Sequence, residues 1–530
     1  MLEELVSTRL FWALVVGFRI WNALFVRTSF NPDEYWQSTE VAHRLVFGYG
    51  YLTWEWQKDA QLRGFAHPGL FAGLYKLLKL LNLDSRWAVA YGPRLFQGVL
   101  SAANDFCLYK LAHNYMDAKA AKWTLLCQLF SWFIFYVMVR PFSNCVETLC
   151  TTAALAFWPW KFLDDQAETK KTDDVSPVKR SNRTLALVFA ALGVLFRPTN
   201  AVIWLYPGLV HFLQTRDRAH LMLSVVLPIA LVTTLTMLCI DRLGYGEWTF
   251  VPFNFFKFNV LESKDRLYGE HPWHWYFSQG YPAIVGTTLP LVIAGYLTPS
   301  RKDLGRTIMW TLFVYSNASH KEFRFVLPLL PPAFVYAGYC LCKLERRLYV
   351  QVGERTQRNL LRLAILLLVV PNVLVAYYLS RSHQRAPVEV MDYLADRIRE
   401  NRDVSIHFWT PCHATPYYSF LHQNTSMWFP DCSPANRERP EGCESHQLER
   451  DPRLFLSKLY HLSPSNGLAS DSLSLALPTY VVMYSTMAAK IRPLLADIRF
   501  LETASFFHSD VSGDADSSEV VSSMLVYKRE

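Results

Sequence analysis

The chain is 530 residues long, 51% hydrophobic and 15% aromatic, with only 18% charged residues. Soluble domains carry about 25% charged residues, so the whole chain is not an ordinary soluble protein. The net charge of +8 gathers in alternate loops, a pattern that encodes membrane orientation and not nucleic-acid binding.

Apolar segments recur up to Arg381; 10–26, 121–139, 221–240, 325–344 and 360–379 have about twenty residues, long enough for a hydrocarbon core of roughly 30 Å, and the others are shorter or hold small and polar residues. In chain order the segments are 10–26, 93–112, 121–139, 144–162, 185–196, 201–213, 221–240, 282–297, 307–315, 325–344 and 360–379. They predict an α-helical polytopic membrane protein of roughly eleven transmembrane helices. The first segment is long and no small-residue cleavage site follows it, so it reads as a retained span and not a signal peptide.

Basic residues mark every second loop: Lys119 and Lys122, the linker 163–183, Arg216 with Arg218, 301–306 and 343–358. These belong on the cytosolic side, which places the amino terminus in the cytosol and the intervening loops in the lumen. The lumenal parts are then the first loop 27–86, the loop 241–280, the turn "HKEFRF" and everything after Arg381. A membrane module, 1–384, is thus followed by a lumenal C-terminal domain, 385–530.

Within the first loop, "HPGLFAGLYKLLKLLNL" repeats apolar residues at Leu70, Leu74, Leu77, Leu78 and Leu81, with Lys76 and Lys79 opposite. This is the pattern of an amphipathic helix lying in the membrane interface. The linker is highly charged and reads as flexible. The tail has ordinary soluble composition, with a helix ending near Asn401, a strand after it, and further strands at "LPTYVVMYST" and "SSMLVYKRE". It predicts a small α/β domain.

Seven of the ten cysteines lie in or beside apolar segments, where a thiol is a small buried hydrophobe. Cys412, Cys432 and Cys443 fall in the tail, and Cys412–Cys432 is the expected disulfide in an oxidising lumen. No matching histidine set accompanies them, so zinc is not expected. The sequon at Asn424 is the expected glycosylation site. Those at Asn182 and Asn317 adjoin predicted spans and are expected to be unused.

Three clusters could carry chemistry. At "NPDEYW", Asn31 and Pro32 are helix-start residues and Asp33 and Glu34 fall in the first turn, facing the positive end of the helix dipole. A carboxylate beside a membrane is also a functional candidate. Gln37, Glu40 and His43 follow at helical spacing and extend one polar face. At "SNASHKEFRF", His320, Lys321, Glu322 and Arg324 fill a short turn. That density exceeds what interfacial anchoring requires and points to an anionic ligand such as a phosphate. Arg140 and Arg197, each followed by proline at a span end, are further anion candidates or anchors. At "GEHPWHWYF", His271 and His274 lie in an aromatic patch that suits the interface, a sugar ring or a polyprenyl chain.

Acids, cations and aromatics on one face suit transfer of a sugar from a lipid-linked phosphate to a hydroxyl. A carboxylate would act as general base and cations would stabilise the leaving phosphate. A transporter is the rival reading. It would place ionisable residues in mid-span and show repeated halves, whereas here the clusters fall at span ends and no repeat is visible.

"NPDEYWQSTEVAHRLVFGYGYLTWEW", "RPTN", "HKEFRF" and "PCHATPYYS" resemble the endoplasmic-reticulum mannosyltransferases that use dolichyl-phosphate-mannose. The long first-loop string resembles the branch that adds the third mannose to glycosylphosphatidylinositol (GPI) precursors. Relatives acting on N-glycan precursors carry strings like "HKEFRF". The resemblance implies a GT-C glycosyltransferase fold of family 22, a dolichyl-phosphate-mannose donor, a two-mannose GPI acceptor, an α-1,2 linkage formed with inversion, and no metal or other cofactor. It implies Asp33 as base, with Glu34 in reserve or orienting substrate, and His320, Lys321 and Arg324 on the donor phosphate. Trp54 and Glu55, which close the first-loop string, join Gln37, Glu40, His43, Arg140, Arg197, His271 and His274 as substrate-binding candidates. Relatives often carry His before "PDE"; Asn31 stands here, so no role of that His transfers.

Overall fold

The computed structural model describes residues 8–160, 177–298, 301–351, 353–401, 403–437, 440–462, 475–510 and 522–530. Each apolar segment named above is helical where described, from Arg9–Phe25 to Glu354–Arg381. Among the described residues four helices are long and apolar enough to cross a membrane: Arg218–Tyr245, Tyr276–Leu297, Phe323–Gln351 and Glu354–Glu400. The other segments are shorter or interrupted. Residues 121–139 break into Ala118–Leu129 and Trp132–Val137 because Ser131 caps a new helix, its hydroxyl accepting from the Ile134 N–H. Leu223, Leu227, Leu231, Val232 and Leu235 stand exposed on Arg218–Tyr245, as a lipid-facing helix requires.

Residues 161–176, most of the predicted linker, lie outside the described residues. The linker's last part differs from expectation: Pro177 begins the helix Pro177–Phe196, since proline at a helix start loses no hydrogen bond.

The chain forms two compact units whose division does not follow the sequence-based boundary at 384/385. One, the helical unit, comprises Met1–Leu24, Glu55–Leu70 and Pro93–Ala376; the other, the α/β unit, comprises Phe25–Trp54, Phe71–Gly92 and Tyr377–Glu530. The α/β unit therefore recruits most of the first loop. The reason is apolar burial: Tyr35 and Trp36 join Val390, Leu394, Ile406, Phe408 and Phe420 in one core.

That unit is built on five strands, β1 (Ser405–Trp409), β2 (Ser426–Trp428), β3 (Tyr480–Tyr484), β4 (Phe500–Phe507) and β5 (Ser523–Arg529), in spatial order β2-β1-β3-β5-β4. β1 is parallel to β2 and β3, and β5 is antiparallel to β3 and β4. Alternation along the strands feeds two cores. Val482 and Val526 face the helix Ala386–Glu400, whereas Val481 and Met483 face Ser485–Asp497. Short β2 and the partly exposed β4 lacked a clear alternating signal.

In the helical unit Arg19 and Asp105 form a fully buried bidentate pair at 2.7 and 2.9 Å, with Gln128 donating to the same carboxylate at 3.1 Å. These ions lie within helices and not at span ends, a correction to the sequence reading; pairing is what makes them tolerable there. Gly98 lets the two helices approach, since a Cβ there would stand 2.9 Å from the Arg19 carbonyl oxygen.

Candidate functional site

The α/β unit holds the acidic cluster. Asn31 caps the helix as its residue type predicts, its Oδ1 accepting from the Asp33 N–H at 3.0 Å. The helix widens at Tyr35–Thr39 into a π-helical turn, closed by the Glu40 N–H on the Tyr35 carbonyl; such turns gather at functional sites. The adjacent acids part company. Asp33 is half-buried, while Glu34 is fully buried and accepts from the Phe30 N–H at 3.3 Å and the Ser29 hydroxyl at 3.4 Å. Glu34 thus fastens the strand of chain that enters the helix, and Asp33 is the more exposed of the two acids.

Gln37 is half-buried. Glu40 and His43 are fully buried and face the tail segment that carries "PCHATPYYS". The Glu40 carboxyl accepts from the N–H groups of Tyr417 (2.7 Å) and Ser419 and from the Ser419 hydroxyl (2.6 Å). Burial raises its pKa to about 7 against the pull of those hydrogen bonds. His43 meets His422 at 3.0 Å and the Tyr49 carbonyl at 3.2 Å, and burial lowers its pKa to about 3. The expected polar face is therefore spent on packing the tail against the first-loop helix. Trp54, half-buried, closes this part of the loop.

The helical unit holds the cations. Arg324 grips Glu322 with two nitrogens, Nε to Oε2 at 2.5 Å and Nη2 to Oε1 at 2.8 Å, and His320 Nε2 adds a contact to Oε1 at 3.1 Å. Burial would raise the Glu322 carboxyl, but the Arg324 guanidinium overrides it and holds the pKa far below the usual carboxylate range. Burial opposes charge on His320, yet the bond to Glu322 raises its pKa. Asp265 shapes this turn by accepting from the Ser319 and His320 N–H groups at 3.1 and 3.2 Å. Lys321 is turned to carbonyl oxygens, those of His271 (2.9 Å) and Ala318 (2.5 Å), so it braces the loop.

Arg197 joins the group. Its guanidinium lies 5.0 Å from the centre of the Phe325 ring, and that of Arg324 lies 5.4 Å from the same ring. Arg197 is 3.3 Å from the buried Glu147. Arg63, not singled out in the sequence, bonds Glu55 at 2.6 and 2.9 Å and is electrostatically coupled to Arg197. Arg140 is buried and donates to the Tyr136 carbonyl at 2.9 Å. His271 stacks on Trp275 at 4.4 Å, and His274 meets the Ser278 hydroxyl at 2.9 Å; both serve the aromatic loop. Glu147 and Asp105 were missed because single ions amid apolar runs carry no spacing signal, and Arg63 and Asp265 because single charges in polar loops look like ordinary solvated ones.

Cys412 and Cys432 are joined, with S–S 2.04 Å, and Asn424 is exposed. Among the described residues Cys412, His413 and Cys432 bring metal-type donors within 4.8 Å. With both sulfurs in a disulfide the trio offers one imidazole and no thiolate, which does not make a metal centre.

A multi-helix membrane unit with an arginine–carboxylate cluster, joined in one chain to an α/β unit, defines a polytopic glycosyltransferase of the GT-C fold. ArnT from Cupriavidus metallidurans, solved bound to undecaprenyl phosphate, superposes with a TM-score of 0.61 at 13% identity, covering 98% of this chain and 97% of its own. Residues 10–422 match the Alg9-like mannosyltransferase family, and the chain belongs to that family and is a mannosyltransferase. Mannosyltransferase APTG1 of Arabidopsis thaliana is 40% identical over 98% of this chain and 92% of its own length. GPI alpha-1,2-mannosyltransferase 3 of Bos taurus is 38% identical, over 97% and 88%.

Proposed function

We propose that the chain transfers mannose from dolichyl-phosphate-mannose to a GPI precursor that already bears two mannoses, forming an α-1,2 linkage on the lumenal side of the endoplasmic-reticulum membrane. The observation that carries this reading is the near-full-length likeness to the bovine relative, whose name states both the GPI class and the linkage. The alternating basic loops support an amino terminus in the cytosol and a lumenal site.

Asp33 takes the proton of the acceptor hydroxyl as its oxygen bonds to C1 of mannose. The C1–O bond to phosphate breaks in the same step, and its electron pair leaves with dolichyl phosphate. One displacement on a β-linked donor inverts the centre and yields the α product. Arg324 and Arg197 carry the charge of the phosphate that departs, with His320 adding to it while protonated. This electrostatic work is strongest where water is excluded. The same cations take the place that a metal would fill, so the mechanism calls for none. Glu322 and Glu147 keep the guanidinium groups placed when no donor is bound.

Lipid extracts from cells lacking the protein test the acceptor. A GPI intermediate with two mannoses should accumulate. A truncated N-glycan precursor in its place would transfer the enzyme to that pathway, and no shortened glycan at all would favour the transporter.

A further inference from the structure

Around the helix of Asp33 the α/β unit gathers aromatic rings where its core reaches the surface. Trp36, one helical turn past Asp33, lies 4.7 Å from His413, 5.3 Å from Phe429, 5.2 Å from Tyr417 and 6.1 Å from Tyr51. Phe429 in turn lies 5.0 Å from Tyr51 and 5.3 Å from His413. Trp36 and Tyr417 are buried, but Tyr51 is 36% exposed and His413 and Phe429 are half-buried. The rings thus form a supported surface with an open side. Three separate segments build it: the first half of the first loop, the start of "CHATPYYS", and the chain after β2. The disulfide ties the last two, since Cys412 adjoins His413 and Cys432 follows Phe429 closely.

Carboxylates rim the rings. Asp33 and Asp431 lie within electrostatic reach of His413, with one cation, Arg437, beside them, and Asp431 and Glu444 lie within reach of the Tyr51 hydroxyl. Three carboxylates against one arginine leave the rim net negative, which disfavours an anionic phosphate or an anionic lipid surface. A neutral pyranose fits it: its C–H face lies against aromatic faces, and its hydroxyls donate to carboxylates at the edge.

We propose that Tyr51, His413 and Phe429, backed by Trp36, form a subsite for a mannose of the acceptor next to Asp33. This rests on the reading of Asp33 as the base. It gives the tail domain a task, selecting and orienting the acceptor glycan, beyond supporting the first-loop helix.

The test uses the purified full-length enzyme with dolichyl-phosphate-mannose and a synthetic GPI acceptor carrying two mannoses. Tyr51→Ala and Phe429→Ala should each raise the acceptor KM about tenfold, with donor KM unchanged. Tyr51→Phe should keep the wild-type acceptor KM, because the ring and not its hydroxyl does the stacking. An unchanged acceptor KM in both alanine variants overturns the subsite, and so does a rise in donor KM in its place. Tyr51 is partly exposed, so its variant carries the test if Phe429→Ala fails to fold. Asp33→Asn run alongside separates the readings: an active Asp33→Asn enzyme removes the base assignment, whereas an inactive one with unchanged Tyr51→Ala kinetics removes the subsite alone.

Discussion

The two units find different partners for their buried charges. In the helical unit four arginines, buried or partly buried, stand in opposite-charge pairs, Arg19 with Asp105, Arg197 with Glu147, Arg324 with Glu322 and Arg63 with Glu55, while Lys321, Arg140 and Asp265 meet backbone groups. In the α/β unit the buried acids are held by N–H and hydroxyl donors, Glu34 by Phe30 and Ser29, Glu40 by Tyr417 and Ser419. Medium explains the difference. Helices immersed in lipid have no loops to lend backbone donors, because their N–H groups are consumed internally. A charge in mid-helix, such as Arg19, is therefore met by a counter-charge. A small sheet domain has turns and helix starts whose free N–H groups can solvate a carboxylate. In the proposed reaction the cations come with carboxylates that hold them in place for an anion, while Asp33, half-buried at its helix start, is the proposed base.

Breaking the α/β side at Asp33 should have the largest effect. Asp33→Asn is expected to lower transfer by at least ~100-fold, the range lost with a general base, while membrane insertion and abundance stay normal. Glu34→Gln, by contrast, should act through the loop that it fastens. Wild-type turnover by Asp33→Asn with saturating donor and acceptor would remove the residue from the chemistry.

The pairing rule in the helical unit is sharpened by Arg324. Arg324→Ala should raise donor KM about tenfold or more and lower the thermal midpoint, because Glu322 is left without its bidentate partner. Adding Glu322→Gln should restore much of the midpoint and none of the donor affinity. Recovery of both together would make Arg324 a structural residue only.

The smallest effect concerns Glu40. Its folded pKa of about 7 lies above the ordinary value of 4.5, so the folded state holds its proton longer than the unfolded one. Its contribution to stability is complete below about 4.5 and is lost as pH rises to about 7. Glu40→Gln, which carries no charge at any pH, should flatten the fall in thermal midpoint across that window. An identical slope in both proteins would mean that the carboxyl is ionised throughout.

Much of this was legible in the chain. Apolar length marked the long helices of the membrane unit because a hydrocarbon core imposes its thickness on the sequence, and Asn31-Pro32 announced a helix start because capping is local chemistry. The helix Ala386–Glu400 and strands β1, β3 and β5 were visible by their periodicity. The polar face drawn from Asp33 through His43 was legible as a face, but its destination was not. Spacing says which side chains share a side; what that side meets depends on the tail, more than 350 residues further on.

By itself, then, the sequence determined the membrane class, the helix positions and the residue types that a sugar transfer needs, since each follows from local length, pattern or charge. Only the tertiary structure decided that the tail domain would close around the first-loop helix, that Glu40 and His43 would be buried by it, and that Arg197 and Arg324 would share one ring. Those outcomes depend on contacts between distant segments, and no local rule fixes which distant partner a buried polar or aromatic group will find.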